Sequence, residues 1–282
     1  MNFHRKPITF VSNVTIRVQD LARSIAFYQK VIGFDILEKT NTTAALTADG
    51  KTSILTLEQP ENAVPKQGRT TGLYHFAILL PTRKDLANFV FHSMEVGLPL
   101  ASSDHLVSEA LYFSDLDGNG IEVYRDRDPA GWTWQGDQVN MAVDPLDFED
   151  LLKEGEKDAW QGLPQETAMG HIHLYVAEIG NTKHFYEKGL GFETVCQFGD
   201  QALFISTGKY HHHIGLNTWN GVGAPAPSEN SAGLQSYTIS YPTKEAVHRT
   251  IQNLKAIGAS VEEEEYQAIT RDPSGNKIIL TY

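Results

Sequence analysis

This chain repeats itself, and the repeat limits what it can fold into more than any single motif does. Near the start it reads Asn13-Val-Thr-Ile-Arg-Val-Gln-Asp-Leu21, followed by Phe27-Tyr28 and Gly33-Phe34. Past the midpoint it reads His171-Ile-His-Leu-Tyr-Val-Ala-Glu-Ile179, followed by Phe185-Tyr186 and Gly191-Phe192. A second correspondence links Gly72-Leu-Tyr-His75-Phe-Ala-Ile-Leu-Leu-Pro81 to Gly233-Leu-Gln-Ser236-Tyr-Thr-Ile-Ser-Tyr-Pro242. A third links Asp115-Leu-Asp-Gly-Asn-Gly-Ile-Glu122 to Asp272-Pro-Ser-Gly-Asn-Lys-Ile-Ile279. The segments opening at Asn13, His75, His171 and Ser236 share one plan: a β-rich run, an amphipathic helix such as Leu21 to Val31 or Lys244 to Ile257, then further strands broken by Gly, Asn and Asp turns. The expected fold class is therefore α+β, with four βαβββ modules. At roughly 50 residues, each is too small to bury a good core alone and must pack against another.

By position the chain divides into a first pair of modules over 9–127 (9–60 and 71–127), a connector over 128–167, and a second pair over 168–282 (168–220 and 232–282). The connector opens with Asp128-Pro-Ala-Gly-Trp-Thr-Trp134. It then carries an acidic stretch from Val143 to Lys153 that reads as a short capped helix. Ordered packing is expected for it, with Trp132 and Trp134 covering the joint between domains. Glu262 to Glu265 reads as a solvated charge run.

Within this frame His75, Glu122 and His171 form a two-histidine, one-carboxylate set. Such a set fills one face of an octahedral ferrous ion and leaves positions open for substrate and oxygen. Asn13, Ser236 and Ile279 stand at the matching places of the other modules, and none is a good ligand. One metal per chain is the expectation.

The remaining composition excludes several classes. No apolar run approaches the roughly 18 residues needed to span a bilayer, so no membrane partner is expected. A net charge of −12 and the lack of a basic patch argue against nucleic acid. Cys196 is the sole cysteine, so an intramolecular disulfide is impossible and a reducing, cytoplasmic setting is expected, as is consistent with an opening that lacks an apolar signal core.

Taken together, Gly-Leu-Tyr-His-Phe-Ala-Ile-Leu-Leu-Pro, Asp-Gly-Asn-Gly-Ile-Glu, Gly-His-Ile-His-Leu and Tyr-His-His-His-Ile-Gly-Leu-Asn make the chain resemble the vicinal oxygen chelate superfamily. That superfamily includes glyoxalase I, bleomycin-resistance proteins and type I extradiol dioxygenases, and the likeness is strongest to the bacillary catechol 2,3-dioxygenase group. It covers nearly the whole chain apart from the first few residues and the connector. It implies an extradiol dioxygenase that uses Fe(II), with Mn(II) as the alternative metal, and O2 as co-substrate on a small aromatic diol. It implies His75, Glu122 and His171 as metal ligands, His171 being preferred to His173 by its spacing from Val176. It also implies His212 as the acid and base, on the last strand of its module, Tyr112 as a hydrogen-bonding partner of substrate, and His105 as a residue that positions the ring. Strand alternation would send His211 and His213 to one side and His212 to the other.

Three other readings stay open: a hydroquinone-cleaving relative, a glyoxalase- or thiol-transferase-like metalloenzyme, and a metal-free ligand-binding protein of the same fold. In the better-known extradiol enzymes the third and fourth modules hold the metal. Here the fourth module offers only Ser236 and Ile279. The set is complete only if the second and third modules pair, either within one chain, the preferred arrangement, or between subunits of a homo-oligomer.

Overall fold

The structure, a computed structural model, describes residues 2–282. Two eight-stranded sheets carry the fold, and each module contributes four strands, of which the first and last pair in parallel. One sheet runs in the order Val261–Glu263, Ala268–Arg271, Lys277–Thr281, Gly233–Ser240, Phe10–Arg17, Ser53–Glu58, Thr43–Thr47, Asp35–Lys39. The other runs Glu193–Phe198, Ala202–Ser206, Ile214–Asn217, Ala168–Tyr175, Gly72–Leu79, Gly120–Asp126, Ser108–Ser114, Ala101–Asp104. The first and fourth modules thus share one sheet, and the second and third share the other. The segments 9–127 and 168–282 are accordingly not one sheet each. Each gives one module to either sheet, because the central antiparallel seam joins Phe10–Arg17 to Gly233–Ser240 and Gly72–Leu79 to Ala168–Tyr175.

Helices cover the outer faces. Leu21–Phe27 starts at Asp20, whose side chain accepts from the Arg23 amide. Arg83–Glu95 and Lys244–Ala256 start at Thr82 and Thr243, which cap Asp85 and Ala246 in the same way. One continuous buried apolar cluster runs through both sheets and these helices, including Val14, Ile16, Phe76, Ile78, Ile172, Leu174, Tyr237 and Ile239. In the Gly72–Leu79 strand Phe76 and Ile78 face that cluster. His75 and Ala77 point the other way, and the strand is buried nearly throughout because both of its faces are covered.

The Asp-x-x-Gly-Asn turns serve the fold. Asp115 accepts from the amides of Asp117 and Asn119 and from the Tyr28 hydroxyl of the first module at 2.9 Å. Asp272 makes the same turn and accepts from Tyr186 of the third module at 3.1 Å. Each turn therefore ties one sheet to a helix end belonging to the other.

The connector is pinned. Its helix, Phe148–Leu152, is capped by Asp147 and lies inside the expected acidic stretch. Arg83 pairs with Glu109 at 2.9 Å, Asp150 at 2.9 Å and Glu154 at 2.8 Å, so one guanidinium joins sheet and connector. Trp132 is buried against Phe3 and Tyr210.

Glu109 is the node of this network. Burial works to raise its pKa, but the guanidinium of Arg83 and those of Arg125 and Arg127 outweigh burial and hold it below 4.5. A folded-state value below the unfolded one means that the pairing stabilises above about pH 4.5 and is lost as pH falls through the folded value. Glu109→Gln is expected to cost about 2–3 kcal/mol at pH 7, the figure for breaking a buried pair reduced because its partners reach water. Denaturant titrations of both proteins check this, and the gap should close below pH 4.5.

Among the described residues no helix is long and apolar enough to cross a membrane.

Candidate metal centre and its cavity

The central seam of the second sheet brings the three candidate ligands together. His75 lies on Gly72–Leu79, and His171 lies on the antiparallel neighbour Ala168–Tyr175, opposite Ala77. Glu122 lies on the parallel neighbour Gly120–Asp126, also opposite Ala77. The two histidines and the carboxylate thus surround Ala77, whose methyl group leaves room between them. A bulge between Met169 and His171 sets the register. Gly170 is required there, since a Cβ would lie 2.0 Å from the Tyr124 hydroxyl.

One ligand atom from each residue falls within 4.8 Å of the other two. Glu122 Oε2 is 3.0 Å from His75 Nε2 and 3.1 Å from His171 Nε2. Adjacent corners of an octahedron with roughly 2.1 Å bonds are roughly 3.0 Å apart, so these separations suit a six-coordinate cation. His75 Nε2 is close to the carboxylate but not aligned for a hydrogen bond, which leaves a buried ring nitrogen without a partner. That is costly unless a ligand takes the lone pair. Burial favours a protonated Glu122, yet the His171 and His75 imidazoles hold its pKa well below the carboxylate range, and burial keeps His171 neutral. An ionised carboxylate beside a neutral imidazole is the state in which ligands bind metal. The set fits a mononuclear hard or borderline cation.

His173 lines the same cavity but is otherwise engaged. Its Nε2 accepts from Asn217 Nδ2 at 2.9 Å, and burial pushes its pKa well down.

The three candidate ligands face a cavity of about 650 Å³, within the range of small-molecule sites. Tyr74, Phe113, Ile121, Phe204 and Trp219 give it aromatic and apolar walls, and Met141 and Val143 of the connector close one side. Tyr112, His105 and His212 also face it. Tyr112 stands opposite Glu122 in the hairpin. His105 Nδ1 lies 2.6 Å from the Ala142 carbonyl and must donate to it, so its Nε2 accepts from the Tyr112 hydroxyl at 2.6 Å. Burial, with Glu122 nearby, raises the Tyr112 pKa well above its ordinary value and keeps the phenol protonated.

The three adjacent histidines lie just before the Ile214–Asn217 strand and not on it. The expected strand placement is therefore corrected: an irregular turn after Thr207 carries them, held by the bond from the His213 amide to the Ile205 carbonyl at 2.9 Å. The rings of His211 and His213 both pack on Tyr210, while His212 turns into the cavity, 4.1 Å from the His171 ring between centroids.

Behind His212 is a chain that the sequence reading did not include. His211 Nε2 is 2.7 Å from Asp126 Oδ1, and His211 Nδ1 is 2.8 Å from His212 Nδ1. A carboxylate only accepts, so a neutral His211 donates from Nε2 and accepts at Nδ1. His212 must then donate from Nδ1, which leaves its Nε2 with a free lone pair. The available signal was the run Glu122, Tyr124, Asp126, three polar residues at alternate positions of one strand and hence on one face. The first residues were also missed. His4 Nε2 bonds the Gly170 carbonyl at 2.8 Å, and His213 Nε2 bonds the Phe3 carbonyl at 3.1 Å, so the amino-terminal segment covers the back of the site.

Comparison with known proteins agrees with this architecture. The Glyoxalase/Bleomycin resistance protein/Dioxygenase superfamily matches residues 11–135 and 168–280. A catechol-2,3-dioxygenase of Bacillus subtilis (strain 168) is 44% identical over 270 residues, 94% of either chain. A metallothiol transferase of Staphylococcus haemolyticus is 27% identical over 116 residues, covering 40% of this chain and 81% of its own. Among solved structures, glyoxalase I from Zea mays superposes with a TM-score of 0.59 at 16% identity, covering 97% of this chain and 92% of its own, a likeness of fold. The repeat, the paired sheets and a near-full-length relationship to a dioxygenase place this chain in the Glyoxalase/Bleomycin resistance protein/Dioxygenase superfamily, as an enzyme of its extradiol dioxygenase type.

Proposed function

We propose that the chain cleaves the ring of a catechol-type aromatic diol with O2 at a mononuclear ferrous site held by His75, Glu122 and His171. The observation that carries this reading is the convergence of those side chains at one end of an aromatic-walled cavity that His212 and Tyr112 also face. A ferrous ion held there would bind the vicinal diol oxygens as a Lewis acid and couple the diol to oxygen by redox chemistry.

The protein's own groups supply the rest. His212, kept neutral by burial, presents an unprotonated Nε2 to the cavity, takes a proton from a diol hydroxyl and later returns it to the product. Tyr112 gives its hydrogen to His105, so its oxygen is free to accept a hydrogen bond from the second hydroxyl. His105, anchored by the Ala142 carbonyl, keeps Tyr112 in that orientation. Tyr74 and Phe204 offer faces against which an aromatic ring can lie.

The test is anaerobic loading with ferrous or manganous ion, followed by oxygen uptake on a panel of catechols and hydroquinones. One O2 consumed per catechol, with the ferrous form the more active, is the expected result. Uptake on hydroquinones alone would shift the substrate class. Thiol transfer without oxygen uptake would overturn the reading.

A further inference from the structure

Lys66 is the one lysine or arginine among the residues lining the cavity. Its ammonium donates to the Leu73 carbonyl at 3.1 Å and to the Gly118 carbonyl at 2.9 Å. An ammonium carries three N–H groups, so one remains. The lysines that form ion pairs among the described residues are Lys84, Lys153, Lys183, Lys209 and Lys255, all elsewhere. Lys66 is thus a partly desolvated cation, fixed by two backbone groups beside a cavity, in no direct ion pair, with Asp115 of the neighbouring turn acting on it only at longer range. Burial lowers its pKa, and the Asp115 carboxylate offsets that only in part.

Its place sets the reach. Leu73 is two residues before His75, roughly 7 Å along the strand. Gly118 is two residues before Gly120, which pairs with His75 across the sheet. An aromatic diol anchored at the His75 end would extend a short side arm toward the ammonium. Phe113, Ile121 and Tyr74 also line this cavity and suit a ring. A chain of net charge −12 repels anions at long range, so a bound anion needs a local cation.

We propose that Lys66 binds a carboxylate carried on a one- or two-carbon arm of the diol, making anionic catechols the favoured substrate class. This rests on the ring-cleaving reading above. The residue determines specificity and takes no part in the bond changes.

The experiment compares a catechol bearing an acetic- or propionic-acid arm with its uncharged primary amide. The quantity read is the ratio of kcat/KM for acid over amide in the metal-loaded enzyme, and in its Lys66→Gln and Lys66→Arg variants. Wild type is expected to favour the acid roughly ten-fold or more, the effect of one charge-assisted hydrogen bond. Lys66→Gln should bring the ratio near unity, and Lys66→Arg should keep most of it. A wild type without preference, or a preference that survives in Lys66→Gln, would overturn the proposal. So would an arginine variant that loses it as fully as glutamine, since Lys66 would then be only a strut between two carbonyls.

Calorimetric binding of the matching monophenol acid and amide gives the same ratio without turnover. If no diol is cleaved by any variant, the activity reading fails while calorimetry still decides the role of Lys66.

Discussion

Replacing His212 by phenylalanine should leave the bound metal at its wild-type level and slow diol cleavage by roughly 10² to 10⁴, the range for a lost acid or base group. The two readouts separate because His212 is not in the three-residue set and touches it only by ring contact with His171. Phenylalanine keeps an aromatic ring against Phe204, whose ring centroid is 5.1 Å away, so the wall survives. What disappears is the Nε2 lone pair that the Asp126–His211 chain holds toward the cavity. His211 Nδ1 is then left without its donor, at a cost of about 1–3 kcal/mol, so a moderately lower melting temperature accompanies the kinetic loss. Metal analysis and oxygen uptake on the same preparation check the expectation. Loss of the metal, or full activity, would remove His212 from the acid/base role.

Much of this molecule is legible in the sequence because it is written more than once. The α+β class and four-module plan follow from repeated strand openings and Asp-x-x-Gly-Asn turns, and the structure shows why those turns recur: Asp115 and Asp272 each organise a turn and receive a tyrosine from another module. His75, Glu122 and His171 can be picked out because their counterparts Asn13, Ser236 and Ile279 are so different. What lay outside the repeat was harder to read. The connector's contribution is a backbone carbonyl, that of Ala142, and no side-chain pattern encodes it. Lys66 sits in a loop between modules and gains meaning only when Leu73 and Gly118 are seen beside it. The strand expected for His211 to His213 gives way to a turn because Gly208 and Lys209 adopt positive φ, of 63° and 61°, just before it.

The matching positions of the two sheets lead to the last expectation, that the protein binds about one metal ion per chain and that Glu122→Ala all but abolishes both metal and activity. In the second sheet Glu122 and His171 both stand opposite Ala77. In the first sheet Ile279 and Asn13 both stand opposite Thr238, so the geometry is repeated while the chemistry is not. Asn13 already donates its amide to the Ser53 carbonyl and hydroxyl, and Ile279 has no donor atom to offer. Glu122 supplies the only charge of the complete set, and without it two neutral imidazoles must hold a dication alone. Even outer partners of metal ligands are worth roughly 10- to 100-fold in affinity, so removing the charged ligand itself should exceed that range. Elemental analysis after anaerobic loading measures the outcome, and two ions per chain would refute the assignment of Asn13, Ser236 and Ile279 as non-ligands. Chelation should not unfold the wild type, because the ligands stand on three adjacent strands of an eight-stranded sheet whose other face is buried. It should instead remove the stabilisation that mass action gives a bound ion, about 3–4 kcal/mol when free metal is 100 to 1,000 times its dissociation constant. In Glu122→Ala the chelator should change neither the melting temperature nor the residual activity.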